Sequence, residues 1–277
     1  MIDTRPLTAG VMGWPIIHSK SPRIFSHWFG QSAIDGRYAH LAVEPKNFAE
    51  VFRALPKAGF RGVNVTLPHK LDALGLSERQ TDTASRIGAA NMISFTPDGE
   101  IVAHNTDGFG FIQNLYTSAP AWQPGSGPAA VLGAGGAARA VLDALKEAGV
   151  PEIRLANRSR DKAEALAAEF GPNITVIDWA ERSDALAGAA TLVNTSSLGM
   201  HGQPALEIAL DALPTTALVT DLVYTPLITP VLSTAADRGN PIVDGLGMLL
   251  HQARPAFEGW FGVDPVIDAA LREICLS

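Results

Sequence analysis

The stretch AAVLGAGGAARAVLDALKEAGV, residues 129–150, decides the fold class of this chain. Its first four residues are apolar, which is typical of a short strand buried on both faces. A glycine-rich loop follows, and apolar side chains then recur at helical spacing. Strand, tight loop and helix in this order open a βαβ unit, in which helices cover a parallel sheet. The sequence therefore predicts an α/β domain that begins near residue 129.

The loop itself, Gly133-Ala134-Gly135-Gly136-Ala137-Ala138, has the pattern of a dinucleotide phosphate loop. Gly133 would allow the tight turn, Gly135 would let backbone amides approach a pyrophosphate, and the small Ala138 would let the helix pack closely on the strand. The start of the helix adds unpaired N–H groups and a partial positive charge. A plain tight turn would explain the same glycines, so the strand–loop–helix context is what favours a nucleotide site.

The end of the next strand, residues 153–156, indicates which nucleotide binds. NAD-binding domains place an acidic residue about 20 positions beyond the loop to hold the ribose 2′-OH. Here the strand runs into Asn157-Arg158-Ser159-Arg160, with no carboxylate. A guanidinium beside a hydroxyl suits a 2′-phosphate, so the sequence favours NADP. A pair of surface arginines without a ligand is the alternative.

Short apolar segments that look like buried strands continue this series towards the C-terminus. They are residues 153–156, 174–177, 191–194, 218–222 and 242–243. The tail is helical in pattern over residues 247–260 and 265–276, and Pro255 is expected to kink the first of these helices.

A break rich in Pro, Gly and Ser at residues 117–128 separates this series from an earlier one. Strands are predicted at 10–13 and 38–43, and helices at 22–33 and 48–57, the latter with Asn47 as N-cap. The alternation again favours a mostly parallel sheet covered by helices. The expected fold class is α/β, with two domains.

The sequence GVNVTLPHK, residues 62–70, predicts a buried strand that ends in polar groups. Its two valines share one face, and Asn64 and Thr66 share the other. A Leu-Pro pair stops the strand, and Lys70 follows where a helix would begin. Ligands of α/β sheets bind beyond the carboxyl ends of the strands, so a site is expected here.

Two serines lie in the segment HSKSP, residues 18–22, between the first strand and the first helix. Ser21 as N-cap and Pro22 at the first helical position would explain the segment structurally. The functional alternative is an anion pocket for a carboxylate, made by two hydroxyls and free helix amides. Ser19, which helix capping does not require, favours this second interpretation.

Lys70 and Asp107 are the residues to which we assign chemistry. Asp107 could also be a helix cap, because Phe109, Ile112 and Tyr116 follow at helical spacing. If the two side chains meet, the carboxylate would hold the ammonium group charged and aimed. The lysine could then polarise a substrate carbonyl and give up a proton as hydride arrives from the nicotinamide. Which of the two accepts that proton in the reverse direction stays open.

The composition excludes several other classes of protein. The chain has 277 residues, 47% of them hydrophobic, and a net charge of -7, which argues against a nucleic-acid partner. The single cysteine, Cys275, excludes an internal disulfide framework and a cysteine-based metal cluster. The N-terminal segment does not resemble a signal peptide, and no segment has the roughly 20 apolar residues that cross a bilayer. We therefore expect a cytoplasmic protein with a small-molecule substrate, no metal and no membrane partner.

Seven motifs together resemble the shikimate dehydrogenase family, in the family's order and over nearly the whole chain. They are HSKSP at 18–22, NVTLPHK at 64–70, GAAN at 88–91, NTDG at 105–108, GAGGAAR at 133–139, NRS at 157–159 and GLGMLLHQA at 245–253. The resemblance implies NADP-dependent reduction of 3-dehydroshikimate to shikimate, a step of the shikimate pathway towards chorismate and the aromatic amino acids.

The resemblance also implies roles for individual residues, with Lys70 and Asp107 as the catalytic pair. The substrate-binding positions would be Ser19, Ser21, Asn64, Thr66, Lys70, Asn91, Asp107, Tyr224 and Gln252. The cofactor-binding positions would be Gly133, Ala134, Gly135, Gly136, Ala137, Asn157, Arg158, Ser159, Lys162, Asp82, Leu222, Gly245 and Met248. For Asp82, an acidic residue on a helix face is an equally good explanation.

The family's architecture would be a substrate-binding and catalytic domain at residues 1–107 plus 246–277, and a Rossmann-type NADP-binding domain at 108–245. The C-terminal helices would return to the first domain, with the site in a cleft. Two alternatives stay open: a dual quinate/shikimate dehydrogenase and a non-catalytic NADP-binding sensor. Ser21 and Arg158 argue against the first, and the retained Lys70 and Asp107 argue against the second. The sequence leaves monomer and homodimer open.

Overall fold

A computed structural model describes residues 5–277 of the chain. The chain divides into two compact units. The first contains the residues up to Thr106 together with Leu250–Ser277, and the second is Asp107–Leu249.

Twelve strands and ten α-helices form the two units described here. The strands are β1 (Thr8–Gly13), β2 (Arg37–Ala42), β3 (Gly62–Val65), β4 (Arg79–Gln80), β5 (Met92–Phe95), β6 (Ile101–His104), β7 (Ala129–Leu132), β8 (Ile153–Ala156), β9 (Ile174–Ile177), β10 (Thr191–Asn194), β11 (Leu218–Asp221) and β12 (Ile242–Val243). The helices are α1 (Ser21–Gln31), α2 (Phe48–Ala54), α3 (Lys70–Leu76), α4 (Asp82–Ile87), α5 (Asp107–Ser118), α6 (Gly136–Glu147), α7 (Arg160–Phe170), α8 (Pro230–Asp237), α9 (Leu246–Phe261) and α10 (Ala269–Leu276).

The first unit has a six-stranded sheet in the order β2-β1-β3-β5-β6-β4. β1 pairs in parallel with β2 and β3, and β4 pairs in parallel with β6. β5 is antiparallel to both of its neighbours. Its connection to β6 is the short segment 96–100, and a link of that length can only join antiparallel strands. The sheet is therefore mostly parallel, as predicted, with one antiparallel strand inserted.

An aromatic cluster fills the core on one face of this sheet. Phe25 of α1 packs against the Tyr38 ring, with 3.9 Å between ring centroids, and against Trp260 of α9 at 5.9 Å. Gly62 lies beneath Trp260, and a Cβ atom at that glycine would lie 2.1 Å from the indole nitrogen. The close contact between α9 and β3 therefore requires glycine at this position.

The second unit has a six-stranded sheet in the order β12-β11-β10-β7-β8-β9, in which every pairing is parallel. This is the order of a doubly wound nucleotide-binding sheet, with β7 at its centre. The strand order reverses between β7 and β10, so ligands are expected at the carboxyl ends of these two strands.

Several predicted boundaries need correction. Asn47 occupies the N-cap position of α2 but makes no capping hydrogen bond with its side chain, because a 3₁₀ turn, Pro45–Asn47, leads directly into the helix. The same helix ends at Ala54 rather than residue 57, because Pro56 has no N–H group with which to continue the helical hydrogen bonds. The last helix begins at Ala269 rather than 265. Its start is fixed by Asp268, whose carboxylate accepts a hydrogen bond from the Leu271 N–H at 2.7 Å.

The remaining predictions agree more closely with the structure. The strands predicted at 129–132, 153–156, 174–177, 191–194 and 242–243 have the observed bounds, and β11 ends one residue earlier than predicted. Pro255 lies inside α9, which continues to Phe261. None of the helices within residues 5–277 is both long and apolar enough to cross a bilayer.

Candidate active site

The start of α1 differs from the capping arrangement that the sequence suggested for the two serines, Ser19 and Ser21. Lys20, not Ser21, occupies the N-cap of α1, so Ser21 is the first helical residue and Pro22 the second. The Ser19 hydroxyl oxygen accepts a hydrogen bond from the Ser21 N–H at 3.4 Å, so Ser19 contributes to the helix start after all. The two hydroxyl oxygens are 3.3 Å apart. The Lys20 ammonium group donates to the Cys275 carbonyl in α10, which holds this loop against the C-terminal helix.

The polar residues at the end of β3 are held by hydrogen bonds within the first unit. Asn64 is buried, its Oδ1 accepts from the Tyr38 hydroxyl at 2.8 Å, and its Nδ2 donates to the Asn91 carbonyl at 3.2 Å. Thr66, two residues further, is partly buried and donates its N–H to the Met12 carbonyl at 2.9 Å.

Asn91 lies at the centre of a second set of contacts in the same unit. Its Nδ2 donates to Gln252 Oε1 at 3.2 Å and to Thr106 Oγ1 at 3.1 Å. Its Oδ1 accepts from the Thr106 N–H at 2.7 Å, and the Thr106 hydroxyl also donates to the Gln252 carbonyl at 2.8 Å. All three residues are buried. Through the Asn91 carbonyl they join Asn64 and Tyr38 in one hydrogen-bonded network.

Tyr38 and Thr106 are members of this network that sequence reasoning did not identify as site residues. Thr106 lies inside the motif NTDG, so its position next to Asp107 was an available signal. Tyr38 carries no local signal, because it lies in a strand 26 positions before Asn64. Only the pairing of β1 with β2 and β3 brings them together.

Lys70 is the first residue of α3 and is partly buried. Its carbonyl accepts from the Ala90 N–H at 2.9 Å, next to Asn91. The preceding residue, His69, is fully buried, with its Nε2 2.7 Å from the Val43 carbonyl and its ring stacked on Phe48. The histidine therefore anchors the start of α3 and fixes the backbone that carries the lysine.

Four of the predicted site residues lie in the second unit, around β11 and the start of α9. Leu222 and Tyr224 follow β11 and are partly buried. Gly245 is packed against that segment: a Cβ atom there would lie 2.3 Å from the Leu222 carbonyl oxygen. Met248, in the first turns of α9, packs against the core of this unit. Asp107, also in this unit, is the first residue of α5 rather than a cap before it, and it is buried.

A buried carboxylate supports the segment after β11. Asp221 accepts hydrogen bonds from Asn194 Nδ2 at 2.9 Å, the Val223 N–H at 2.9 Å and Thr229 Oγ1 at 2.7 Å. Burial raises the pKa of this carboxyl group above its usual value, and the three hydrogen bonds oppose that shift. The network fixes the backbone that carries Leu222 and Tyr224.

The glycine loop has the open geometry that a pyrophosphate needs. Gly133 has a φ of 110°, and a Cβ atom there would lie 2.8 Å from Thr195 Oγ1, so the position requires glycine. At Gly135 and Gly136 a Cβ would meet no atom within 4 Å, which leaves space beside the start of α6. The Ala134 N–H donates to Asn157 Oδ1 at 3.1 Å, so the asparagine fastens the loop to the end of β8.

The two arginines after β8 differ in their partners. Arg160 pairs with Glu164 at 2.7 Å and with Asp178. Arg158 is exposed and forms no hydrogen bond or ion pair with the described residues. Ser159 and Lys162 are exposed in the same segment. An open glycine loop with one unpaired guanidinium nearby in sequence fits a dinucleotide that carries an extra phosphate.

Asp82 is the exposed first residue of α4, which Thr81 caps by accepting from the Ala84 N–H, and it lies in the first unit. A charge at a helix start explains it without a ligand. Within residues 5–277, no group of three or more His, Cys, Asp or Glu side chains is arranged to hold a metal ion.

Two family profiles match the sequence. The profile described as "Shikimate dehydrogenase substrate binding domain" matches residues 11–93, and "Shikimate / quinate 5-dehydrogenase" matches residues 125–201. Among curated proteins, the shikimate dehydrogenase (NADP(+)) of Dinoroseobacter shibae is 58% identical over 277 residues, the full length of both chains.

Solved structures share the fold. Shikimate 5-dehydrogenase from Thermus thermophilus, in complex with NADP(H) and shikimate, has a TM-score of 0.86 and 34% identity, over 97% of this chain and 98% of that one. Quinate dehydrogenase from Corynebacterium glutamicum, in complex with NAD, has a TM-score of 0.91 and 26% identity, over 98% of this chain and 99% of that one.

Proposed function

The chain belongs to the shikimate dehydrogenase family, and from this premise we propose that it catalyses the reversible, NADP-dependent reduction of 3-dehydroshikimate to shikimate. The enzyme is thus an oxidoreductase of the shikimate pathway, which leads to the aromatic amino acids. This proposal rests on the 58% sequence identity, over the full length of both chains, with a relative whose name states this activity.

NADP is the cofactor named for three curated shikimate dehydrogenases that are 58%, 56% and 54% identical to this chain. When bound, NADPH supplies the hydride. In this chain, Gly133 to Ala137 and the start of α6 would hold the pyrophosphate, and Asn157, Arg158 and Ser159 would hold the adenosine 2′-phosphate. The exposed, unpaired guanidinium of Arg158 supports this assignment, as does the absence of a carboxylate from residues 157–160, directly after β8. Leu222, Gly245 and Met248 are proposed for the nicotinamide side, with Lys162 as a further phosphate contact.

The substrate carboxylate is assigned to the Ser19 and Ser21 hydroxyls, and the ring hydroxyls to Asn64, Thr66 and Asn91. Hydrogen bonds within the first unit connect Ser19 with Ser21 and Asn64 with Asn91, and each supports a common role for its pair. Gln252 joins the same network through Asn91, and Tyr224 is assigned to the substrate by family resemblance. A preformed polar network suits a polyhydroxylated acid because its polar groups are already oriented before the ligand arrives.

Lys70 is the proposed proton donor. Its ammonium group would stabilise the charge that develops on the carbonyl oxygen and then transfer a proton from Nζ to that oxygen. Asp107 is proposed as the second catalytic residue, by family resemblance. The fully buried His69, which anchors the start of α3, supports a fixed position for Lys70 in this role.

A quinate dehydrogenase of dual specificity is the second candidate, favoured by the structural likeness to an enzyme solved with NAD. We place it second because position 21, at the start of α1, is serine rather than threonine, and because residues 157–160, directly after β8, include no acidic residue.

Steady-state assays with shikimate or quinate, each with NADP or NAD, test the proposal directly. The expected result is high kcat/KM only for shikimate with NADP. Comparable turnover of quinate, especially with NAD, would assign the chain to the dual-specificity branch instead. Tight NADP binding without turnover of any pair would support a sensor.

The domain roles and cellular context are also proposals. Residues 1–107 with 246–277 would bind the substrate, and 108–245 would bind NADP; the division of the chain at Thr106 and Leu250 supports this. We propose a cytoplasmic enzyme, because its single buried cysteine suits a reducing compartment. The active form is a monomer or a homodimer, which size-exclusion chromatography with light scattering would distinguish.

A further inference from the structure

We propose that Tyr38 is a positioning residue for the substrate: its hydroxyl holds the side-chain amide of Asn64, so that this hydroxyl-binding group is oriented before the ligand arrives. The inference rests on the proposed function, which assigns Asn64 to the substrate. Tyr38 itself is assigned no contact with any ligand.

Strand pairing explains how the tyrosine reaches so far. Tyr38 of β2 lies opposite Ala9 of β1, and Ala9 lies opposite Gly62 of β3. A methyl group and a hydrogen atom are the only side chains at these two positions, so the phenol ring can extend across β1. Phe25 stacks on the ring with 22° between the ring planes. The hydroxyl then lies 2.8 Å from the Oδ1 atom of Asn64, two residues beyond Gly62.

Hydrogen bonds hold both the oxygen and the nitrogen of the Asn64 side-chain amide. The Asn91 carbonyl can only accept, so it fixes Nδ2 on its side, at 3.2 Å. Tyr38 holds the opposite atom, Oδ1, by donating to it. One Nδ2 hydrogen is then used and the second is left to donate to a ligand. Loss of the phenol hydroxyl would release the oxygen of this amide.

The direction of the hydrogen bond follows from the chemistry of the two groups. A phenol has one proton, and Tyr38 donates it to the Asn64 Oδ1 atom, which can only accept. Burial raises the pKa of Tyr38 well above its ordinary value of 10.0, so the phenol keeps the proton that this hydrogen bond requires.

Tyr38→Phe removes the hydroxyl and keeps the ring that stacks on Phe25. We expect KM for shikimate to rise about 3- to 10-fold, as for the loss of one buried hydrogen bond, while KM for NADP and kcat change less than about 2-fold. Tyr116→Phe is the matched control, because Tyr116 also packs on an aromatic ring, that of Trp122, and is exposed. It should leave both KM values unchanged.

A double-mutant cycle separates positioning from general packing. If Tyr38 acts through Asn64, then Tyr38→Phe should raise KM far less in an Asn64→Ala background than in the wild type. Equal effects in both backgrounds, or no effect in the wild type, would overturn the inference.

A readout independent of turnover keeps this inference distinct from the proposed function. The side-chain amide signals of Asn64 in an NMR spectrum are identified by their loss in Asn64→Ala, and they should shift in Tyr38→Phe but not in Tyr116→Phe. Wild-type protein without shikimate activity would count against the proposed function alone. Unshifted Asn64 signals in an active enzyme would count against the role of Tyr38 alone.

Discussion

Arg158 and Arg160 are two positions apart, but their surroundings differ. Arg160 is engaged by Asp178 and Glu164, which raise the pKa of its guanidinium through hydrogen bonds and charge. Arg158 is exposed, with no such partner among the described residues. A phosphate ligand can therefore recruit Arg158 without breaking an existing ion pair.

We expect Arg158→Ala to lower the preference for NADP over NAD roughly 10- to 100-fold, the effect of losing one charge-assisted hydrogen bond. Measured kcat/KM for the two cofactors gives the preference. Arg160→Ala is the control, and it should leave the ratio near that of the wild type. An Arg158→Ala enzyme with unchanged selectivity would remove this residue from the cofactor site.

At the residue scale the sequence identified polar residues that the structure brings together, but it did not predict their local backbone geometry or their hydrogen-bond partners. Asn64, Asn91 and Gln252 could be proposed from short motifs, and the structure connects them by hydrogen bonds. The predicted cap at Ser21 was wrong, because one residue of difference in the start of α1 moves the cap to Lys20. The role of Tyr38 depends on strand register, which local sequence does not encode.

At the scale of elements, buried apolar runs gave reliable strands. β7 is apolar over all four residues and β8 over three of four, and both are bounded by loop residues, so their ends were predictable. Helix ends were less so, since they depend on caps such as Asp268 and on the proline after α2. The antiparallel β5 was not foreseen, because the direction of a strand follows from its connections rather than its composition.

Close packing of α9 on β3 makes Gly62 sensitive to substitution. In Gly62→Ala the new methyl group would lie 2.1 Å from Trp260 Nε1 and 2.4 Å from the Ile93 carbonyl oxygen, and the latter is backbone that cannot easily move. We expect a loss of about 3 kcal/mol in unfolding free energy and a fall in Tm of roughly 6–12 °C, measured by thermal melting.

Gly75→Ala makes the matched control for this experiment. Gly75 lies in α3 of the same unit, and a methyl group added there would meet no atom within 4 Å. Alanine in a helix is favoured over glycine by about 0.5–1 kcal/mol, so Tm should be equal or slightly higher. Similar melting temperatures for both variants would contradict the packing argument.

At the scale of the whole molecule, the buried His251 and the partly buried His104 predict acid sensitivity. Burial lowers the pKa of His104 and of His251, and nearby arginines lower it further: Arg79 for the first, Arg254 and Arg272 for the second. Within residues 5–277, Nδ1 of His251 is buried without a hydrogen-bond partner. A proton added there would therefore have no acceptor.

The direction in which stability changes with pH follows from the linkage between proton binding and folding. Both folded-state pKa values lie below the ordinary 6.5, so the unfolded chain binds more protons than the folded one below about pH 6.5. Their contribution to stability is complete above that pH and is lost as the pH falls through 6.5 towards the folded values. Tm should fall between pH 7.5 and 5.5, and less steeply in His251→Gln. An identical slope in the variant would show that His251 does not contribute.

The two-unit α/β organisation was largely predictable, because the switch from one strand series to the next is visible in composition, but the break at 117–128 lies inside the second unit, which begins at Asp107. That Leu250–Ser277 clusters with the first unit was suggested only by family resemblance. Periodicity cannot assign a helix to a unit, since an apolar face fits any apolar surface.

The central claim, that Lys70 carries the proton in shikimate oxidation and its reverse, is tested most directly by the kcat of Lys70→Ala with shikimate and NADP. The rate is followed by the absorbance of the reduced nicotinamide, with the exposed Lys57→Ala as control. We predict that kcat falls by about 10²- to 10⁴-fold in Lys70→Ala, the usual contribution of a general acid–base group, and stays unchanged in Lys57→Ala. A Lys70→Ala enzyme that turns over shikimate at close to the wild-type rate would contradict the account.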